Sequence, residues 1–153
     1  MDIILSLWTA APILKTKLLV IMISAQMILT IWCYYKMSAA RVGAVKAGKI
    51  TPEIYKAVGD AEPEEVRVFT RLVANQFELP VLFYAIILTS LAIGVASWLT
   101  VVLAGLFVAT RVIHAREMAG EHVVLRRRRI FVQTVRITLL MILELLISTL
   151  FML

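Results

Sequence analysis

Apolar residues gather in four runs along this chain, at about 14–35, 66–93, 98–118 and 130–152. At 1.5 Å per residue, each run is long enough to cross a hydrocarbon layer of about 30 Å as an α-helix. Lys15, Lys17 and Lys36 bracket the first run, and Trp32, Tyr34 and Tyr35 stand near its end. Snorkelling cations and interfacial aromatics of this kind mark the ends of a span. Gln26 is its main polar interruption, and the residues before Pro12 read as a short interfacial helix or an extension of the span.

The segments between the runs are unequal. From Lys36 to about Arg67 the chain is polar, first basic at Arg41, Lys46, Lys49 and Lys56, then acidic at Asp60, Glu62, Glu64 and Glu65. Within it, Thr51-Pro52-Glu53 predicts a helix start, with Thr51 as cap and Pro52 at the first helical position. The second run is polar in its first half, where Arg67, Arg71, Asn75 and Glu78 precede Pro80. Pro80 lacks a backbone donor and predicts a kink. Gly94-Val95-Ala96-Ser97 is a short uncharged turn, whereas the segment from about Ala119 to Arg129 closes with four consecutive arginines. The positive-inside rule then puts both long loops in the cytoplasm and both termini outside.

Composition agrees with spans. Hydrophobic residues make up 61% of the 153, with mean hydropathy +0.93, against about 45–50% apolar in soluble domains. The expectation is an all-α membrane protein, one domain over 1–153, built as a four-helix bundle. A net charge of +6 can serve nucleic acid or an anionic membrane face. The cations lie between apolar runs and no recognition motif accompanies them, so nucleic acid is not an expected partner. The single cysteine, Cys33, excludes an intramolecular disulfide framework and reads as a small buried hydrophobe. Met1-Asp2-Ile3 has no basic region ahead of the apolar stretch, so the N-terminal segment is expected to be retained.

Ionisable residues at membrane depth cost a few kcal/mol and should face protein or water. Arg71, Asn75 and Glu78 are spaced i, i+4, i+7, and Arg111 and His114 are spaced i, i+3, so each set forms one helical stripe. Both stripes lie toward the basic end of their helices, level with Arg127. Two readings stay open for the set: helix glue, with Glu78 neutralising Arg71 or Arg111, or a polar site. Arg136 and Glu144, eight residues apart and deeper, read as packing or pairing residues on roughly one face. His114 and His122 are the only histidines, without the spacing of a metal site. No nucleophile triad, P-loop or dinucleotide fingerprint is present.

The element Arg71-x3-Asn75-x2-Glu78-x-Pro80, followed by Arg111-x2-His114, resembles the MAPEG family, the membrane-associated proteins in eicosanoid and glutathione metabolism. The resemblance runs from about Arg41 to Thr138, and the phrase Asn-x-Phe-Glu-Leu-Pro-x-Leu-Phe-Tyr is similar to a bacterial branch, which implies an inner-membrane location. It implies a homotrimer that binds glutathione as co-substrate between subunits. Arg71, Asn75, Glu78, Arg111, His114 and Phe131 would be the binding positions. Arg127, thirteen residues after His114, would be the catalytic arginine that stabilises the thiolate. Arginines suit the two carboxylates of glutathione and Glu78 suits its ammonium. Arg41 loosely matches a first-helix arginine. Two positions depart from the family pattern: Met118 and Phe131 stand where well-studied members carry tyrosines. The expected function is a glutathione-dependent transferase or peroxidase acting on lipophilic electrophiles. The alternative is a non-catalytic scaffold that partners another membrane protein. A small transporter fits less well, because the polar stripes do not cross the midplane.

Overall fold

The computed structural model describes residues 2–56, 62–120 and 124–151. Among the described residues, four helical segments are long and apolar enough to cross a membrane: Ala11–Lys46, Glu64–Ala92, Trp98–Ala119 and Leu125–Leu150. The chain is accordingly an all-α, multi-pass membrane bundle.

Helix α1 (Asp2–Lys46) is longer than its apolar run at both ends. Pro12 lies inside it, so the residues before Pro12 extend the span. At the other end, polarity begins at Lys36 but the helix continues for ten more residues. The polar switch marks the exit from the hydrocarbon, not the end of the helix: Ala39, Ala40, Ala44 and Arg41 are good helix formers that gain nothing by stopping there. The stop comes at Gly48, whose φ of +67° is open to glycine at little cost. There Gly48 N–H donates to Val45 O (3.0 Å) and Lys49 N–H to Ala44 O (3.1 Å), the double bond of a Schellman cap. The helix start read at Pro52 is a short 3-10 turn, Pro52–Lys56. Arg41 fastens the polar segment: its Nε donates to Glu62 Oε1 at 2.8 Å, Thr70 Oγ1 donates to Glu62 Oε2 at 2.6 Å, and its guanidinium stands 4.8 Å from the Tyr55 ring centre. Burial first, and then the Glu62 carboxylate, push the Tyr55 hydroxyl above its ordinary range, with Arg41 opposing.

The second span is two helices, α2 (Glu64–Ala74) and α3 (Leu79–Ala92). Between them lie a 3-10 turn, Asn75–Phe77, and Glu78 at φ −96°, ψ −101°. The kink expected at Pro80 thus falls one turn upstream, and Pro80 occupies the first turn of α3. The reason is steric, since a proline ring excludes the carbonyl four residues before it, which here belongs to Gln76.

Helix α3 ends at Gly94 (φ +76°). Gly94 N–H donates to Leu91 O at 3.3 Å and Val95 N–H to Ser90 O at 2.9 Å, a second Schellman cap. Ser97 then caps α4 (Trp98–Ala119) in a capping box with Thr100. The last helix, α5 (Val124–Leu150), begins within the arginine-bearing segment that reads as a loop, so all four arginines are helical. Lipid tails are as apolar as leucine, so close packing rather than burial from water holds the helices together. Phe83 and Phe107 stack with centroids 4.5 Å apart, among fully buried Leu19, Ile87, Ala104 and Met141. A second cluster, Leu29, Cys33, Leu72, Val73, Ala115 and Met118, lies toward the basic end. Between helices, buried Gln26 Nε2 donates to Gln76 Oε1 at 3.1 Å.

Arg136 and Glu144 do not share a role. Eight residues overshoot two turns by about 80°, which leaves Arg136 exposed and Glu144 buried. The Glu144 carboxylate accepts from Ser97 Oγ (2.6 Å), Thr100 Oγ1 (2.9 Å) and Ser148 Oγ (3.3 Å). A carboxylate at a helix N-terminus also meets the positive end of its dipole. Glu144→Ala should therefore destabilise the bundle by about 1–3 kcal/mol, because it strands buried hydroxyls, and Glu144→Gln by less. Denaturation in mixed micelles measures this. An unchanged midpoint for Glu144→Ala would remove the carboxylate from the list of structural contacts.

Candidate functional site

At the basic end a cleft of about 540 Å³ opens between the second span and the facing ends of α4 and α5. Ligand pockets are typically of about 300–1,000 Å³. Arg71 and Ala74 reach it from α2, Asn75 and Glu78 from the break, His114 from α4, and Arg127, Arg128 and Phe131 from α5. A smaller cavity of about 220 Å³ adjoins it through Arg71 and Arg127 and adds Glu64, Arg67 and Val68.

The break shapes this cleft. Straight helix would set Arg71, Asn75 and Glu78 on one ladder; here Glu78 lies outside regular helix, in an exposed position. Behind the break stands Arg111, fully buried on α4. Its Nη2 donates to the Asn75 carbonyl at 2.8 Å. It does not line the cleft; the structure puts it one layer back, supporting the backbone that presents Asn75. Among the described residues its Nε and Nη1 have no hydrogen-bond partner, nor has buried His114 Nδ1. Asn75 Nδ2 contacts Met118 Sδ at 3.2 Å, so Met118 is a buried packing partner of the Asn75 side chain. The Phe131 ring lies 6.0 Å from that of His114, tilted by 48°.

The helix-glue reading requires Glu78 to neutralise Arg71 or Arg111. Neither pair lies within ion-pair distance, and among the described residues Arg71, Glu78, Arg127 and Arg128 are all outside the ion pairs that form. Arg126 is different: it pairs with Glu117 at 3.2 Å and joins the start of α5 to the end of α4. Among the described residues the cleft thus presents three arginines, one carboxylate and one imidazole. Such a set suits a ligand with more than one anionic group and one cationic group.

Sequence reasoning names seven positions: Arg71, Asn75, Glu78, His114, Arg127 and Phe131 line the cleft, and Arg111 does not. It misses Ala74 and Arg128. Arg128 was visible as the residue three before Phe131, on the same helical face, but the arginine run hid it as a membrane anchor. Ala74 carries no signal beyond its small size, which leaves the cleft room.

A family model described as MAPEG family matches residues 19–147. No curated protein and no solved structure shows a significant match to the chain.

Proposed function

The chain belongs to the MAPEG family, and from that premise we propose that it is a glutathione-dependent transferase or peroxidase acting on lipophilic electrophiles that enter from the bilayer. The observation that carries this reading is the cleft's lining: arginines, one free carboxylate, an asparagine and a histidine around one volume. Glutathione offers two carboxylates, an ammonium and a thiol. The forked guanidinium of Arg71 suits a carboxylate, and Glu78 suits the ammonium. Arg127 and Arg128, half-buried and exposed at the start of α5, suit the second carboxylate and the sulfur. A guanidinium beside a thiol favours its thiolate, the nucleophilic form. Bound glutathione supplies that thiol. Arg127 is the group proposed to hold the thiolate, and His114 and Asn75 offer polar contacts that orient it. The apolar helix faces leave the electrophile a route from lipid.

A second reading is favoured by one feature of the cleft. Among the described residues no side chain that lines it carries a hydroxyl, because Phe131 and Met118 stand at positions where the family carries tyrosines. A non-catalytic scaffold with a ligand-binding cleft fits that loss. Glutathione separates binder from non-binder: at millimolar concentration it should raise the melting temperature of the purified protein, since a ligand of the folded state stabilises it by mass action. No shift would set aside the glutathione reading altogether. A shift without turnover of any electrophile would favour the scaffold, and Met118→Tyr is then the substitution to test for restored activity.

We also propose a homotrimer. The cleft opens to the outside of one subunit, and a neighbour would cover its charged lining at membrane depth. Light scattering in mild detergent should give three subunits per particle; a monomer would count against an intersubunit site.

A further inference from the structure

The outward face of α5 carries a second group of cations that the cleft does not use. Leu125, Arg129, Val132 and Arg136 are spaced i, i+4, i+7, i+11, one stripe along the helix. Buried Thr134, Thr138 and Met141 define the opposite, core-facing side. With Arg128 and Gln133 at its edges, the stripe encloses a shallow depression of about 410 Å³. Arg128, Arg129 and Arg136 are exposed, and none enters an ion pair among the described residues.

Arg136 is the telling residue. It stands two turns, about 10 Å, inside Arg129, on a face whose next members are the exposed Leu139, Leu140, Leu143 and Ile147. An uncompensated guanidinium on a lipid-facing surface is costly by a few kcal/mol, and a positive-inside anchor does not need one at this depth. Side chains on a helix tilt toward its N-terminus, which for α5 is the basic end. Arg136 therefore reaches back toward Arg129 and the headgroup level. Cations at one end and a continuous apolar stripe below them have the shape of a single amphiphile.

We propose that this face binds one anionic glycerophospholipid. Its phosphate is held by Arg129, Arg136 and Arg128, its headgroup contacts Gln133, and its acyl chains lie along Leu139, Leu140, Leu143 and Ile147. Guanidinium forks match phosphate oxygens, and basic pockets at a membrane surface recognise such headgroups. Only Arg128 is shared with the cleft, whereas Arg129 and Arg136 lie outside its lining, so this site does not rest on the glutathione reading.

Native mass spectrometry of the detergent-solubilised full chain tests it, with phosphatidylglycerol, phosphatidylcholine and soluble glycerol phosphate as probes. Wild type should retain phosphatidylglycerol at least tenfold better than phosphatidylcholine. The double variant Arg129→Gln/Arg136→Gln should lose that preference, whereas Lys36→Gln/Lys46→Gln, which removes the same charge elsewhere, should keep it. Equal retention of the two lipids, or equal loss in both double variants, would overturn the site in favour of diffuse attraction. Glycerol phosphate that displaces the lipid stoichiometrically would overturn the lipid assignment in favour of a small phosphate ligand. Melting temperatures of the variants in lipid-free micelles, expected within a degree or two of wild type, separate lost binding from lost fold.

Discussion

Arg127→Ala should lower turnover of a chlorodinitrobenzene with glutathione by a factor on the order of 10²–10³, the usual effect of removing one preorganised group that stabilises developing or resident negative charge. In that reaction a sulfur–carbon bond forms, chloride leaves and the thiol proton passes to solvent. The variant should still show most of the glutathione-induced melting shift, because Arg71 and Glu78 remain. Arg127→Lys keeps the charge without the fork and should fall between the two. Arg127 is only half-buried at the start of α5 and outside the ion pairs among the described residues, so its loss should not unfold the bundle. Retained turnover in Arg127→Ala would remove it from the reaction.

Glu78→Gln should act on binding. Among the described residues it is the only carboxylate lining the larger cleft, and an amide cannot neutralise the ammonium of glutathione. Truncating one side of a hydrogen-bonded charge pair costs about 2–5 kcal/mol, and at 2 kcal/mol affinity already falls about thirtyfold. The melting shift expected of wild type at millimolar glutathione should disappear. Calorimetry with glutathione and with its analogue lacking the amino group makes the assignment sharper. Wild type should prefer glutathione, and Glu78→Gln should treat the two alike. Equal binding of both by wild type would place the ammonium elsewhere.

Much of this architecture is legible before any coordinates. The four runs and the short turn after the second run are set by hydropathy, and Trp98–Ala119 agrees with its run to within a residue. Periodicity also put Arg71, Asn75 and Glu78 on one stripe, which survives a modest break, and the order of the spans put that stripe level with His114 and Arg127. What periodicity could not see is the third dimension of that break. Pro80 predicts a kink, but whether the chain bends at the proline or a turn before it depends on which carbonyl the ring displaces. The depth of Arg111 was equally hidden. Sharing a stripe with His114 says which side of α4 it is on, not that α2 and α3 close over it. Helix ends failed for another reason: α1 and α5 run through polar sequence, where the hydrophobic pattern is silent and propensity alone decides. Gly48 was the signal for the first, since a glycine after a helical run is the commonest cap.

The tight turn that joins α3 to α4 has a bearing on how the protein reaches its place. Ile93–Ser97 holds no charged residue, and both helix ends that meet there are capped from within. A translocation machine handling this segment meets two apolar helices and a linker too short to leave them apart. They can enter the bilayer together as one hairpin, with little ionic cargo to drag across. The flanking arginines, on α2 and at the far end of α4, lie at the opposite end of the hairpin from this turn. Five uncharged residues thus tie the two middle spans into a single insertable unit.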